Sequence, residues 1–368
     1  MKATIEQSAL LKCLGHIQRL VDRRVTVPIL ANVLLTAERD RLVARGTNMD
    51  SEITASVSAQ VATNGALTVP AHLLYDIVRK MPAGSQIAIE QDGETLIVKA
   101  GRSRFKVPTL PVSDFPELAM TDGVRFDLPG ADLRRLIGKT QFAISTEETR
   151  YYLNGIYLHI AQAGDFMLRA VATDGHRLAR VDAALPDGAE DMPGVIVPRD
   201  TVDSIWKGKL FDDAETISIE VNASKIAFAA GDLRIVSKLI DGTFPDYGRV
   251  IPQNNEKKLV VDKAALEAAV DRVSVVGGKE SRAVKMSIST ENVELSFRSA
   301  DFCDAADEIE AEYYDEPIEI GFNHNYVRDI LKELGDRAMV KLGDPGSPTI
   351  FRDPDDGSTL FVLMPMRV

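Results

Sequence analysis

Apolar and polar positions alternate along this chain with two periods, and the order in which the periods follow one another repeats. From Ser8 to Arg24, Leu10, Leu11, Ile17, Leu20 and Val21 recur at helical spacing among polar residues, which predicts an amphipathic helix. A similar start follows the strand-like run 124–128, where Leu133, Leu136 and Ile137 carry the apolar face of a helix over 131–139. A third follows the strand-like run 259–261, with Asp262 placed as an N-cap before Leu266 and Val270. Leu10, Leu133 and Leu266 are the corresponding positions, each about a third of the chain from the next.

A second helix unit recurs with nearly the same phase. Short extended runs lead into helices in TVPAHLLYDIVRKMP from Thr68, VIVPRDTVDSIWKGK from Val195 and EIGFNHNYVRDILKEL from Glu319. Ala71, Arg199 and Asn323 correspond, and the second and fourth helices are expected over 71–82 and 199–209. GRSRFKVPTLPVSDFP from Gly101 and GDLRIVSKLIDGTFP from Gly231 also match, with Arg104 and Arg234 at the same offset and Phe-Pro closing both. Period-two segments and polar turns fill the remainder. These patterns predict an α+β fold of three similar domains, 1–120, 121–250 and 251–368, each with two helices and antiparallel sheets.

Charge changes this picture in one respect. The chain has 43 Lys and Arg against 55 Asp and Glu, a net charge of -12, which argues against a protein coated all over with nucleic acid. The six helix windows nevertheless carry a net excess of base, through Lys12, Arg19, Arg23, Arg24, Arg79, Lys80, Arg134, Arg135, Lys139, Arg199, Lys207 and Lys209. A shared basic face would attract a polyanion through its phosphates without reading sequence. Two cysteines, Cys13 and Cys303, are too few for a disulfide framework and fit a reducing cytoplasm. No apolar run is long enough for a membrane span, and no signal-peptide core opens the chain.

The search for catalytic chemistry finds weak patterns. Gly277-Gly278-Lys279-Glu280 lacks the spacing and hydroxyl of a phosphate loop. His16, His72, His159, His176 and His324 have no zinc spacing, and Asp353-Pro354-Asp355-Asp356-Gly357 reads as a hairpin turn. Asp174, Gly175 and His176 in ATDGHRLAR have acid–base chemistry, but Asp174-Gly175 is foremost a turn between strands. At the C-terminus, FVLMPMRV reads as a buried strand that Pro365 stops, leaving Met364 and Met366 as an adaptable apolar wall for a peptide. A peptide-binding scaffold and a dimeric enzyme with scattered carboxylates remain as alternatives.

The chain resembles the bacterial DNA polymerase III beta subunit, the sliding clamp family, over its whole length. The resemblance is carried by VPILANVLL from Val27, GRSRF from Gly101, RYYLNG from Arg150, ATDGHRLA from Ala172, FPDYGRV from Phe244 and VLMPMRV from Val362. It implies the DNA clamp fold, with three domains per subunit and two subunits joined head to tail in a ring around double-stranded DNA. Arg24, Arg79, Lys80, Arg134, Arg135, Arg199 and Lys207 would then face duplex phosphates, with Tyr151 and Tyr152 near the ring surface and Glu147 where a relative has Gln. It further implies a peptide groove from Leu153, Thr173, Gly175, His176, Arg177, Leu178, Pro245, Arg249 and Val250, with Asn323 and Tyr326 at its mouth. Val362, Leu363, Met364, Pro365, Met366 and Arg367 complete that set, and Phe105, Val107, Val275 and Val276 would close the dimer. The implied partners are the replicative polymerase, the clamp loader, other polymerases and DNA ligase. The implied protein is cytoplasmic, associated with replicating DNA, without membrane contact, catalytic residue, metal or cofactor, since ATP belongs to the loader.

Overall fold

The computed structural model describes residues 1–277, 283–298 and 303–367, apart from the side chain of Ala163. Gly278, Lys279 and Glu280 lie outside them. Six α-helices are found among the described residues, one at each expected place: α1 Gln7–Leu20, α2 Ala71–Lys80, α3 Gly130–Gly138, α4 Arg199–Trp206, α5 Lys263–Ser274 and α6 His324–Lys332. None is long and apolar enough to cross a membrane.

The chain divides into two compact units, Met1–Arg134 with Leu185–Asp241, and Arg135–Ala184 with Gly242–Val368. In the first, an antiparallel eight-stranded sheet runs Val124–Pro129, Thr216–Val221, Lys225–Ala230, Leu233–Lys238, Ser51–Ser58, Arg41–Thr47, Asn32–Glu38 and Gly65–Pro70. Strands from two sequence repeats join there, Leu233 opposite Ala55 and Ile235 opposite Ile53. A five-stranded sheet runs Gln60–Thr63, Lys2–Glu6, Gln86–Asp92, Thr95–Ala100 and Ser103–Pro108. Helix α1 lies beside α2 and on strands Arg41–Thr47 and Ser51–Ser58, burying Leu10, Cys13, Leu14 and Ile17. Gly46 permits that approach, because a Cβ there would stand 2.3 Å from Ile17 Cγ2.

The second unit repeats the device. Gly155–Ala163, Asp165–Thr173 and Arg177–Ala184 are followed in one sheet by Asp356–Leu363, Thr349–Asp353, Arg337–Leu342 and Lys257–Asp262. Leu178 pairs with Val362 and Ala179 with Phe361, so strands of the second and third repeats again share a ladder. A four-stranded sheet runs Asp304–Glu310, Asn292–Arg298, Ala283–Ser289 and Ile318–Asn323. Helix α5 packs on it and on α6 through Leu266, Ala269, Val270 and Val273. Asp262 caps α5 by accepting from the Ala265 N–H at 2.7 Å, as the sequence pattern predicts.

Two helix ends differ from the pattern. α1 stops at Leu20, because Val21 turns extended at φ -83 and ψ 121 and is buried, so Arg23 and Arg24 belong to a loop rather than a helical face. α4 stops at Trp206, and Lys209, with φ 55, is left-handed and outside it. The Asp353–Gly357 segment joins two antiparallel strands as the expected hairpin, and the final strand ends at Leu363.

Candidate binding surfaces

The turn Thr173–Leu178 is built by its own side chains. Thr173 Oγ1 donates to the Arg177 carbonyl at 2.7 Å and accepts from the Gly175 N–H at 3.1 Å. Asp174 accepts from the His176 and Arg177 N–H groups at 2.9 and 3.0 Å. Gly175 has φ +88, which is what requires glycine there, and a Cβ on it would also press on the Arg150 guanidinium, 2.5 Å from Nη1. Arg150 is anchored by two hydrogen bonds to Glu147, at 2.8 and 2.6 Å, which hold the Glu147 carboxyl below the usual range. Asp174 is thus committed to backbone and arginine contacts, which is structural work for a turn.

Arg177 is the centre of this surface. Its Nε donates to Asp174 at 3.0 Å, Nη1 to Asp329 on α6 at 2.7 Å and Nη2 to the Phe142 carbonyl at 2.6 Å. The guanidinium lies 4.3 Å from the Tyr326 ring centroid and 5.1 Å from that of Phe142. His176 stacks against Tyr326 at 6.3 Å. Asn323 is buried and caps α6 by accepting from the Asn325 N–H at 3.0 Å, which orients the helix carrying Tyr326.

The C-terminal segment closes the other side. Pro365 has no N–H to continue a ladder. The Met364 N–H donates to the His176 carbonyl at 2.9 Å, and the Met366 N–H to the Gly321 carbonyl at 2.8 Å. Both methionine side chains remain exposed, at 39% each. Pro245, Arg249, Val250 and Arg367 are exposed as well, and Arg249 Nε donates to Asp246 at 2.9 Å. Leu153, Leu178, Val362 and Leu363 are buried, so these four form packing beneath the surface rather than its accessible wall. All these residues belong to the second unit. Phe142 and Asp329 complete the Arg177 cage without any sequence signal, because nothing local distinguishes either.

The cationic candidates divide by partner. Arg24 is exposed and lines a cavity of about 670 Å³ with Arg23, Pro28, Pro70, Pro108 and Leu110. Lys80 is exposed on the last turn of α2. Arg79 pairs with Asp76 at 2.9 Å. Arg199 and Lys207 share Asp203, at 3.9 and 2.9 Å. Arg134 and Arg135 differ from the sequence reading. Arg134 Nη1 donates to the carbonyls of Phe211 and Asp212 at 3.2 and 2.9 Å, while Arg135 donates to the Asp182 carbonyl at 2.7 Å and to Ser358. Both are half-buried and spend donors on holding loops and strands, so their side chains are fixed by the chain itself. Tyr151 is exposed and Tyr152 half-buried, their rings edge to face at 5.7 Å in the segment Glu148–Leu153.

Phe105 and Val107 point to one face of the edge strand Ser103–Pro108, but only Phe105 is exposed. Val107 is buried opposite Leu96, so it supports Phe105 from the core and is not itself an outward anchor. Val275 is 81% exposed just past α5, and Val276 is half-buried. Among the described residues no group of three or more His, Cys, Asp or Glu side chains converges as a metal site.

These features define an α+β protein built from three sequence repeats, with exposed methionines, aromatic rings and a caged arginine in its second unit. Family models for the N-terminal, central and C-terminal domains of the DNA polymerase III beta subunit match residues 1–119, 127–246 and 248–367. The beta sliding clamp of Caulobacter vibrioides is 47% identical, and that of Escherichia coli K12 36% identical, each with full coverage of both chains. Among solved structures, the Bartonella birtlesii clamp bound to griselimycin superimposes with a TM-score of 0.97 at 45% identity and full coverage of both chains. The Caulobacter crescentus clamp does so with 0.96 at 46% identity, over 100% of this chain and 99% of the other. The chain belongs to the DNA polymerase III beta subunit family, the bacterial sliding clamps.

Proposed function

We propose that this chain is a processivity clamp: two copies, head to tail, enclose double-stranded DNA and tether the replicative polymerase through the recess around Arg177. The observation that carries the reading is a pair of exposed methionines, Met364 and Met366, next to a polar frame: the Met364 N–H donates to the His176 carbonyl, His176 stacks on Tyr326, and Tyr326 covers the caged Arg177. A partner's apolar peptide would bury the methionines. Griselimycin, which the Bartonella birtlesii clamp binds, is the proposed probe of this recess. Polymerase affinity would then become processivity by topology, without catalysis or a cofactor in this chain. Clamp loader, other polymerases and DNA ligase would compete for the recess. The three domains run 1–120, 121–250 and 251–368 in this reading, and the protein works in the cytoplasm on replicating DNA.

Arg24, Arg79, Lys80, Arg199 and Lys207 are the proposed phosphate contacts, with Tyr151 and Tyr152 at the edge. Weak, partly shared charges suit a surface that must slide. For closure, the edge strand Ser103–Pro108 presents Phe105 with Arg102, Arg104 and Lys106 exposed, and the edge strand Asp304–Glu310 presents Asp304, Glu308 and Glu310. Opposite charge and two open sheet edges support an isologous, twice-used contact that includes Val275 and Val276. The test is retention on DNA: loaded protein should stay on closed circular duplex and leave once the duplex is cut. Equal retention on circular and linear DNA would refute enclosure.

A further inference from the structure

The segment Tyr247–Val250 is a short 3-10 turn that carries Arg249 and Val250, and Pro245 precedes it. Its own hydrogen bonds are few: Asp246 accepts from the Gly248 N–H at 3.2 Å and from Arg249 Nε at 2.9 Å. Two aromatic side chains tie it to the sheet beneath. Phe244 stacks on Tyr157 with centroids 5.0 Å apart, and Tyr157 stacks on His159 at 4.4 Å. The Tyr247 hydroxyl lies 3.0 Å from His159 Nε2 and 3.3 Å from Arg169 Nη1. Arg169 is gripped in turn by Asp182, at 2.5 and 2.9 Å, in a buried pair.

The donors and acceptors fit in one arrangement. His159 Nδ1 lies 2.8 Å from the Ile160 carbonyl, which only accepts, so Nδ1 carries the proton. Nε2 then accepts from the Tyr247 hydroxyl, and the hydroxyl oxygen accepts from Arg169. We propose that Tyr247 is a positioning residue of the recess, fixing the wall of Pro245, Arg249 and Val250, and that protonation of His159 releases it. This rests on the recess reading above. A protonated His159 turns Nε2 into a donor, so the Tyr247 hydroxyl loses the ring nitrogen it donates to and faces two donors.

The groups around His159 favour the neutral ring. Tyr157 stacks on it from the same strand, Arg169 stands opposite it on the adjacent strand, Asp182 pairs with Arg169 from the strand beyond, Arg180 stands beside Asp182 at 3.7 Å, and Tyr247 caps it. Burial above all, and Arg169 after it, push His159 below the usual imidazole range, against the Ile160 carbonyl and Asp182. A base with a depressed folded value contributes fully above its unfolded value of about 6.5, and the contribution is lost as pH falls through the folded value. Because the neutral ring is what holds Tyr247 in this proposal, affinity at the recess falls as His159 is protonated on the acid side.

The experiment measures griselimycin affinity of the full chain by calorimetry from about pH 8 down to about pH 5. Wild type should weaken towards acid. Tyr247→Phe, which keeps the ring but loses both hydrogen bonds of the hydroxyl, should bind about three- to tenfold more weakly at the alkaline end, with a flatter profile. His159→Gln keeps an acceptor without titrating and should bind like wild type at the alkaline end and resist acid. Met364→Ala reports the recess itself: unchanged affinity there would overturn the recess reading and this proposal with it. Weakening by Met364→Ala beside wild-type affinity and profile in Tyr247→Phe would overturn the positioning role alone, even if the melting temperature of Tyr247→Phe fell.

Discussion

Truncating Arg177 to alanine is the most exacting perturbation of the recess. The change removes three hydrogen bonds, to Asp174, Asp329 and the Phe142 carbonyl, and two ring contacts. The Arg177 side chain is 11% exposed and Asp174 16%, but Asp329 is 34% exposed and water can reach it once the arginine is gone. Breaking a fully buried pair costs about 3–5 kcal/mol, so the partial exposure of Asp329 lowers the expectation to about 2–3 kcal/mol of local stability. The adjacent reporter is the Met364 N–H, which donates to the carbonyl of His176. Hydrogen exchange at Met364 should quicken by roughly thirty- to a hundredfold, since about 1.4 kcal/mol is tenfold. Arg177→Lys keeps the charge but cannot satisfy three separate acceptors in a fixed fork, so it should fall between wild type and alanine. Exchange at Met364 within about twofold of wild type in Arg177→Ala would refute the view that this cage holds the C-terminal segment.

Gly175→Ala should cost about 1–3 kcal/mol, because φ +88 strains any Cβ and Arg150 must move from Glu147; a melting temperature equal to wild type would contradict this. The proposed dimer should loosen as salt rises from about 0.1 to 1 M, where the screening length falls to about 3 Å, and sedimentation that shows no weakening would count against charged edges at the interface. Asp203→Asn frees both Arg199 and Lys207 and should tighten duplex contact while slowing diffusion along DNA; unchanged affinity would remove these two cations from the DNA surface. Burial pushes the Cys13 thiol up to about 12, whereas Cys303 is exposed, so an alkylating reagent near neutral pH should label Cys303 and reach Cys13 only on unfolding.

What the sequence discloses follows the range of the interactions involved. Helix starts were legible because caps and apolar periodicity are local: Asp262 needs only the Ala265 N–H three residues on. The turn at Asp174-Gly175 was legible for the same reason. The ladders that join repeats were not, since the pairing of Leu233 with Ala55 or of Leu178 with Val362 leaves no local mark in either strand. Charge counting does not disclose that Arg134 and Arg135 donate to backbone carbonyls, because a cation on a helix window looks the same in sequence whatever acceptor it meets. Val107, which the resemblance places with Phe105 at the dimer contact, is buried in this chain, since period two fixes the face of a strand but not how far along it the cover extends.

Those same limits separate the two kinds of surface the chain needs. In the proposed recess, side chains are spent on one another: Arg177, Asp174, Asp329 and Tyr326, with Tyr247 as the proposed tether, would keep the frame fixed and leave the methionines free to adapt. The cationic positions are specified loosely, by exposed side chains such as Arg24 and Lys80, or by ones sharing a carboxylate, such as Arg199 and Lys207. A rigid frame favours a long-lived grip on a peptide, because little order is lost on binding. Mobile, partly neutralised cations favour contacts that exchange between phosphates without a preferred register. A tether that must hold its client and release its track needs both properties in one chain. It is therefore the balance of pairing, rather than the net charge of -12, that makes an acidic protein compatible with enclosing DNA.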